Sequence, residues 1–246
     1  MKIICAIDII DGSCVRLVKG SYETKKVYSE DPVAMAKSFE EHGLKYLHLV
    51  DLDGAKAKKV VNLNVLKAIR EQTDLIIDVG GGLQSEADFE AVFDSGADMA
   101  TIGSLAAKNR ELTLKLLEKW GPDKLILGAD CLNEKIAISG WQEQIDLNVY
   151  QFVESYLKAG FKKVISTDVS KDGLLSGPAF DLYENLLNLA QQNNLPLELI
   201  ASGGVTTVKD LNRLKDLQLD GSIIGKALYE NYFSLEELAR WEKENG

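Results

Sequence analysis

The chain has 246 residues, 46% of them hydrophobic, and a formal net charge of −10. That length suits one large domain with a full core, and the acidity argues against nucleic acid as a partner, because such binding rests on a basic surface that neutralises phosphates. No run approaches the ~18 consecutive apolar residues of a membrane span, and the N-terminal "MKIICAIDIIDG" meets Asp8 too early for a signal peptide, so a cytoplasmic protein with no membrane partner is expected.

Apolar runs of strand length fall at 3–8, 45–51, 74–79, 98–103, 124–130, 162–168, 197–201 and 221–225, separated by amphipathic stretches of helical spacing. The first run ends in Asp8. A long connection follows, "DGSCVRLVKGSYETKKVYSED", in which Arg16 is a candidate phosphate partner. The second run holds His48 among apolar neighbours, a place that suits a buried structural histidine as well as a ligand contact, and Asp51 and Asp53 follow it. Gly80-Gly81-Gly82 ends the third run. Ser85 then caps a helix with Asp88 three residues on, Phe89, Val92 and Phe93 mark its buried face, and Gly96 stops it. Gly103-Ser104 closes the fourth run and Asp130 the fifth.

The connection after Asp130, "CLNEKIAISGWQEQID", is again long, and Trp141 within it is a candidate platform for a planar ring. Connections of this length are expected to act as lids. After the sixth run, "TDVSKDG" places Thr167 and Asp172 around a glycine turn; the seventh and eighth runs end in Gly203-Gly204 and Gly225-Lys226. Cys5, Cys14 and Cys131 show no CxxC spacing, so neither a disulfide framework nor a zinc site is expected.

Residues 78–104 and 200–226 are two copies of one phrase, aligned without a gap at an offset of 122 residues that also carries Asp8 onto Asp130. Strand and helix alternating eight times predict an α/β fold, a (β/α)8 TIM barrel with a two-fold half-barrel repeat, in which a single domain spans 1–246 with halves of about 1–122 and 123–246. Barrel chemistry sits at the C-terminal ends of the strands. Gly81, Gly82, Gly103 and Ser104 on one side of that face, and Gly203, Gly204, Gly225 and Lys226 on the other, are then expected to form two phosphate grips half a turn apart. Two grips suit an elongated ligand phosphorylated at both ends. Asp8 and Asp130 face each other between them, as removal of a proton at one atom and delivery at another requires. Without a nucleophile motif, metal cluster or cofactor fingerprint, acid–base isomerisation or lyase chemistry is the natural class.

The stretches "AIDIIDGSCVRL", "VYSEDPVAMAKSFEEHG", "LHLVDLDGAK", "DVGGGLQS", "ATIGSLAAKN", "TDVSKDGLLSGP", "ASGGV" and "IIGKALYE" together closely resemble the histidine-biosynthesis isomerases that open the phosphoribosyl ring of a formimino-aminoimidazole carboxamide ribotide. The resemblance runs across nearly the whole chain. It implies a bisphosphorylated small-molecule substrate, an Amadori rearrangement of an aminoaldose to an aminoketose, no cofactor and no metal, and a chain acting as a monomer. It also implies Asp8 as proton acceptor, Asp130 as proton donor, Thr167 and Asp172 lining the pocket, and Trp141 packing on the substrate's imidazole. Three positions depart from the family pattern: Cys5 replaces Pro, Leu174 replaces Thr, and Lys226 replaces a frequent Arg. The alternatives are the sister cyclase, which works with a glutaminase subunit, and the dual isomerase of histidine and tryptophan synthesis; a barrel that only binds phosphosugars is a third. "AIDII" and "HLVDLDGA" favour the isomerase over the cyclase, and "NEKIAISGW" lacks the arginine of the dual enzyme.

Overall fold

Each of the eight apolar runs forms a strand, because β-branched and leucine side chains buried on both faces suit a parallel sheet covered by helices. In the computed structural model, which describes residues 1–246, the strands in chain order are β1 (Lys2–Ile10), β2 (Ser13–Val18), β3 (Ser21–Ser29), β4 (Tyr46–Asp51), β5 (Ile76–Gly80), β6 (Met99–Ile102) and β7 (Leu125–Gly128). The second half continues with β8 (Cys131–Leu132), β9 (Lys135–Ile138), β10 (Glu143–Asn148), β11 (Lys163–Thr167), β12 (Glu198–Ser202) and β13 (Gly221–Ile224). Strands β1, β4, β5, β6, β7, β11, β12 and β13 pair in that order, and β13 pairs back onto β1 in parallel register, Lys2 opposite Gly221. The sheet is a closed parallel barrel wrapped by helices, a (β/α)8 TIM barrel. No helix is long and apolar enough to cross a membrane.

The repeat is visible in the element boundaries. β5 and β6 lie at the 122-residue offset from β12 and β13, and helix Glu86–Asp94 at the same offset from helix Val208–Asp216. Both helices start with a capping box, Ser85 with Asp88 and Thr207 with Asp210, each cap contributing about 1 kcal/mol. Phe89 and Val92 are fully buried beneath the first, as Leu211 and Leu214 are beneath the second, each burial stabilising by roughly 1.5–3 kcal/mol.

The two long connections are not irregular loops. Each turns back as an antiparallel β-ribbon: β2 and β3 extend from β1, and β8, β9 and β10 form a separate three-stranded sheet beyond β7. The ribbons are repeats of one another, since Ile10 pairs with Ser13 as Leu132 pairs with Lys135. Their left-handed backbone positions also match: Asp11 with Asn133, Gly12 with Glu134, Lys19 with Trp141. β3 is largely polar, and β8 and β9 are only 2 and 4 residues long, so hydrophobic periodicity did not mark the ribbons. Their tips meet over the barrel mouth, where Gln142 Nε2 donates to the Gly20 carbonyl at 3.2 Å.

Candidate active site

The C-terminal ends of the barrel strands open into one cleft, and every site residue expected from the sequence lines it: Asp8, Arg16, His48, Gly81, Gly82, Gly103, Ser104, Asp130, Trp141, Thr167, Asp172, Gly203, Gly204, Gly225 and Lys226. Asp8 lies within β1, and Asp130 lies two residues past the end of β7. Three strands lie between β1 and β7 whichever way the closed sheet is followed, which puts the carboxyls on opposite sides of the cleft.

The repeat equates the two carboxyls, yet their surroundings differ. Arg16, on the first ribbon, donates from Nη1 to Asp8 Oδ2 at 2.9 Å and from Nη2 to the Ala6 carbonyl at 2.6 Å, with its guanidinium over the Tyr229 ring. A fixed cation thus stands beside Asp8. Asp130 has no such cation in contact. Burial raises its pKa, and the hydrogen bonds it receives from Thr167 and from Trp141, whose Nε1 lies 2.8 Å from Oδ2, offset this only in part. Asp172 is also pushed up, to about 6, because burial outweighs the pull of Arg16. Asp130 and Asp172 therefore both have pKa values raised by burial, whereas Asp8 is set against the Arg16 guanidinium.

The glycine pairs owe their identity to close approach of backbones. A Cβ on Gly81, at φ +91°, would stand 2.2 Å from the Asp51 carbonyl oxygen, and one on Gly204, at φ +82°, 2.3 Å from that of Gly177. Each pair sits opposite the start of a short helix, Ser104–Lys108 and Lys226–Tyr229, whose N-caps Gly103 and Gly225 carry no capping side chain. The first-turn N–H groups are thus left for an anion. Lys226 donates to the Gly173 carbonyl at 2.7 Å, which places its ammonium at the second grip. Arg16 packs against Gly225, so it reaches this grip while it holds Asp8.

Each ribbon is fastened to one of these short helices. Ser139 N donates to Ser104 Oγ at 2.8 Å and Lys108 Nζ to Ser139 Oγ at 3.0 Å; across the mouth, Lys26 and Tyr28 donate to Glu230, next to the other helix.

Not every rim carboxylate serves the cleft. Asp51 is buried and accepts from the N–H groups of Gly54, Val61 and Asn62 and from Asn62 Nδ2, at 2.7–2.9 Å, so its lone pairs are spent on the connection after β4. Asp53 accepts from Asp11 N and Asn62 Nδ2, and Asp168 from Ser170 N. Leu174 is exposed, 45%, so its side chain takes no place in the pocket.

Sequence reasoning missed Asp78 and Thr101. His48 Nδ1 lies 2.5 Å from Asp78 Oδ2, and Thr101 Oγ1 donates to the same carboxylate at 2.9 Å. Burial would lower the imidazole pKa, but the Asp78 carboxylate beside it more than offsets this and raises it. A charged residue inside the apolar run "LIIDVG" was the available signal.

A barrel whose cleft brings two sets of glycine turns and helix starts around two facing carboxyls defines a class able to hold phosphorylated small molecules and to move protons. Comparison with known proteins narrows the class: residues 2–234 match the family model described as histidine biosynthesis protein, and the chain belongs to that family. Relatives cover almost the whole length on both sides. One from Flavobacterium johnsoniae is 50% identical over 241 residues, 98% of this chain and 99% of its own. Others, from Parabacteroides distasonis and Cytophaga hutchinsonii, are 47% and 48% identical with the same coverage. Each is named as a 1-(5-phosphoribosyl)-5-((5-phosphoribosylamino)methylideneamino)imidazole-4-carboxamide isomerase.

Proposed function

We infer that the protein is the aldose–ketose isomerase of histidine biosynthesis, converting the aminoaldose ribotide named for its relatives into the aminoketose by an Amadori rearrangement. The observation that carries the assignment of roles is the unequal setting of the two repeat-related carboxyls: Asp8 beside the Arg16 guanidinium, Asp130 buried with a raised pKa. An acid and a base on opposite sides of one molecule are what this reaction needs.

In this reading Asp130 delivers a proton to the ring oxygen as the C1–O bond breaks, leaving a protonated Schiff base at C1. Asp8 takes the proton from C2, and the released electron pair forms the C1–C2 double bond of an enolamine. Return of that proton to C1, with loss of the C2 hydroxyl proton to Asp130, gives the ketone and restores both carboxyls. No other reactant enters the balance. Thr167 and Trp141 position Asp130, and Asp172 lies beside them as a further protonatable group.

The substrate is read as bisphosphorylated. One phosphate is held by Gly81, Gly82, Gly103 and Ser104, the other by Gly203, Gly204, Gly225 and Lys226, with Arg16 reaching the second. A monomer suffices in this reading, since one chain supplies every residue it uses.

Incubating the purified protein with the aminoaldose ribotide alone and following ketose formation tests the assignment. A requirement for ammonia or glutamine would move it to the cyclase. Turnover of the tryptophan-pathway phosphoribosyl substrate as well would make it the dual isomerase.

A further inference from the structure

The repeat also shows where the two halves were given different interiors. Asp78 and Thr101 correspond at the 122-residue offset to Ile200 and Ile223. The register extends the match to the neighbouring strand: His48 pairs with Asp78 as Ile165 pairs with Ile200. At this level of the barrel one half therefore has isoleucines, which pack with Ile4, Ala6 and Ile126 in an apolar cluster, and the other half has a linked histidine, carboxylate and hydroxyl.

Stability does not account for that choice. Three apolar side chains fill this layer in the second half, and a buried ion pair is rarely worth more than its hydrophobic replacement. A polar group kept where the fold accepts an apolar one points to use by the site.

The geometry says which use. Asp78 is 4% exposed and takes no place in the cleft lining, whereas His48 lines the cleft. The Nδ1 edge of the ring is held by Asp78, Asp78 is held by Thr101, and Nε2 has no protein partner and opens to the cavity. His48 pairs with Ala6 on β1, two residues before Asp8, so the ring lies just below the carboxylate that takes the C2 proton. The charged groups around the ring are Asp78 on β5, Asp8 on β1, Arg16 on β2 and Asp130 beyond β7.

We propose that Asp78 and Thr101 are positioning residues that lock the His48 ring so that its Nε2–H is a permanent hydrogen-bond donor in the pocket, serving the oxygen on the sugar carbon that loses its proton. This deepens the isomerase reading and rests on it. A donor there polarises the C2 oxygen as it passes from hydroxyl to ketone. No proton leaves His48, so the proton balance between Asp8 and Asp130 is unchanged. The raised pKa of the imidazole, caused by the neighbouring Asp78 against the opposing effect of burial, supports the lock.

The chain contains two histidines, so His42→Gln leaves one imidazole for nitrogen NMR. In that background the His48 ring is expected to carry protons on both nitrogens from pH 6 to pH 8. Asp78→Asn keeps the shape but removes the charge. Its His48 should titrate below the ordinary imidazole value, because burial then acts without that carboxylate against it, and kcat should fall about tenfold per pH unit above the new titration point, with KM little changed. Thr101→Val should move both readouts the same way by less. A singly protonated ring in the His42→Gln protein at pH 7, or an Asp78→Asn protein with an unaltered pH profile, overturns the proposal. The NMR result holds whether or not Asp78→Asn folds. It is also separate from the isomerase assay of the unaltered protein, so failure of the lock and failure of the functional assignment are told apart.

Discussion

The indole Nε1–H of Trp141 donates to Asp130 Oδ2 at 2.8 Å. Trp141 thus meets the carboxyl assigned to donate a proton, and it does so from the tip of a ribbon with a left-handed backbone, φ 66°. The bond favours the carboxylate form of Asp130 and so opposes the effect of burial.

Trp141→Phe keeps an aromatic face and removes the donor. Asp130 should then hold its proton to higher pH, and the alkaline limb of the kcat profile should move upward. Trp141→Ala removes the face as well, so it should weaken binding of the full substrate much more than binding of ribose phosphate. Equal losses for both ligands would mark Trp141 as a support for the ribbon and not a platform.

Asp8→Asn and Asp130→Asn should each lower turnover by about 10²-fold or more while the substrate still binds, the scale of a general acid or base. Isotope exchange separates the two. Loss of C2-proton exchange with solvent is expected for Asp8→Asn, and retention of near-normal turnover in either variant would remove that residue from the mechanism.

The two grips are tested at Ser104 and Lys226, which are equivalent in the repeat and begin the two short helices. A side chain at Gly81 would collide with the Asp51 backbone, so a glycine substitution there would report folding and not phosphate binding. Ser104→Asp and Lys226→Asp instead place a negative charge at a helix start, which the helix tolerates and a phosphate does not. The unaltered protein should bind two inorganic phosphates by calorimetry and each variant one. A single phosphate on the unaltered protein would refute the two-grip arrangement.

Asp172 costs stability at neutral pH. Its pKa rises from 3.8 to about 6 on folding, chiefly by burial, so between those values the folded state holds more protons than the unfolded chain. Stability therefore falls as pH rises through that window and stays lower above it. Asp172→Asn should melt higher than the unaltered protein at pH 7.5, by about 2–4 °C for each kcal/mol relieved, and the difference should vanish near pH 4. A difference independent of pH would assign the effect to packing.

What the sequence by itself determined is whatever is written locally or twice. The eight apolar runs became the eight barrel strands because side-chain periodicity and length are local properties. Ser85 and Asp88 became a capping box for the same reason. The 122-residue repeat placed Asp8 opposite Asp130 and the glycine pairs half a turn apart, since a closed eight-stranded barrel converts half a chain into half a circle. The tertiary structure decided what touches what across that circle. Arg16 chose Asp8 because its ribbon folds back antiparallel along β1, and Trp141 chose Asp130 through the matching ribbon. His48, Asp78 and Thr101 lie on three different strands, joined only because parallel crossovers bring β4, β5 and β6 side by side. The unequal charge settings of two sequence-equivalent carboxyls come from burial and from these long-range partners, quantities that exist only once the barrel has closed.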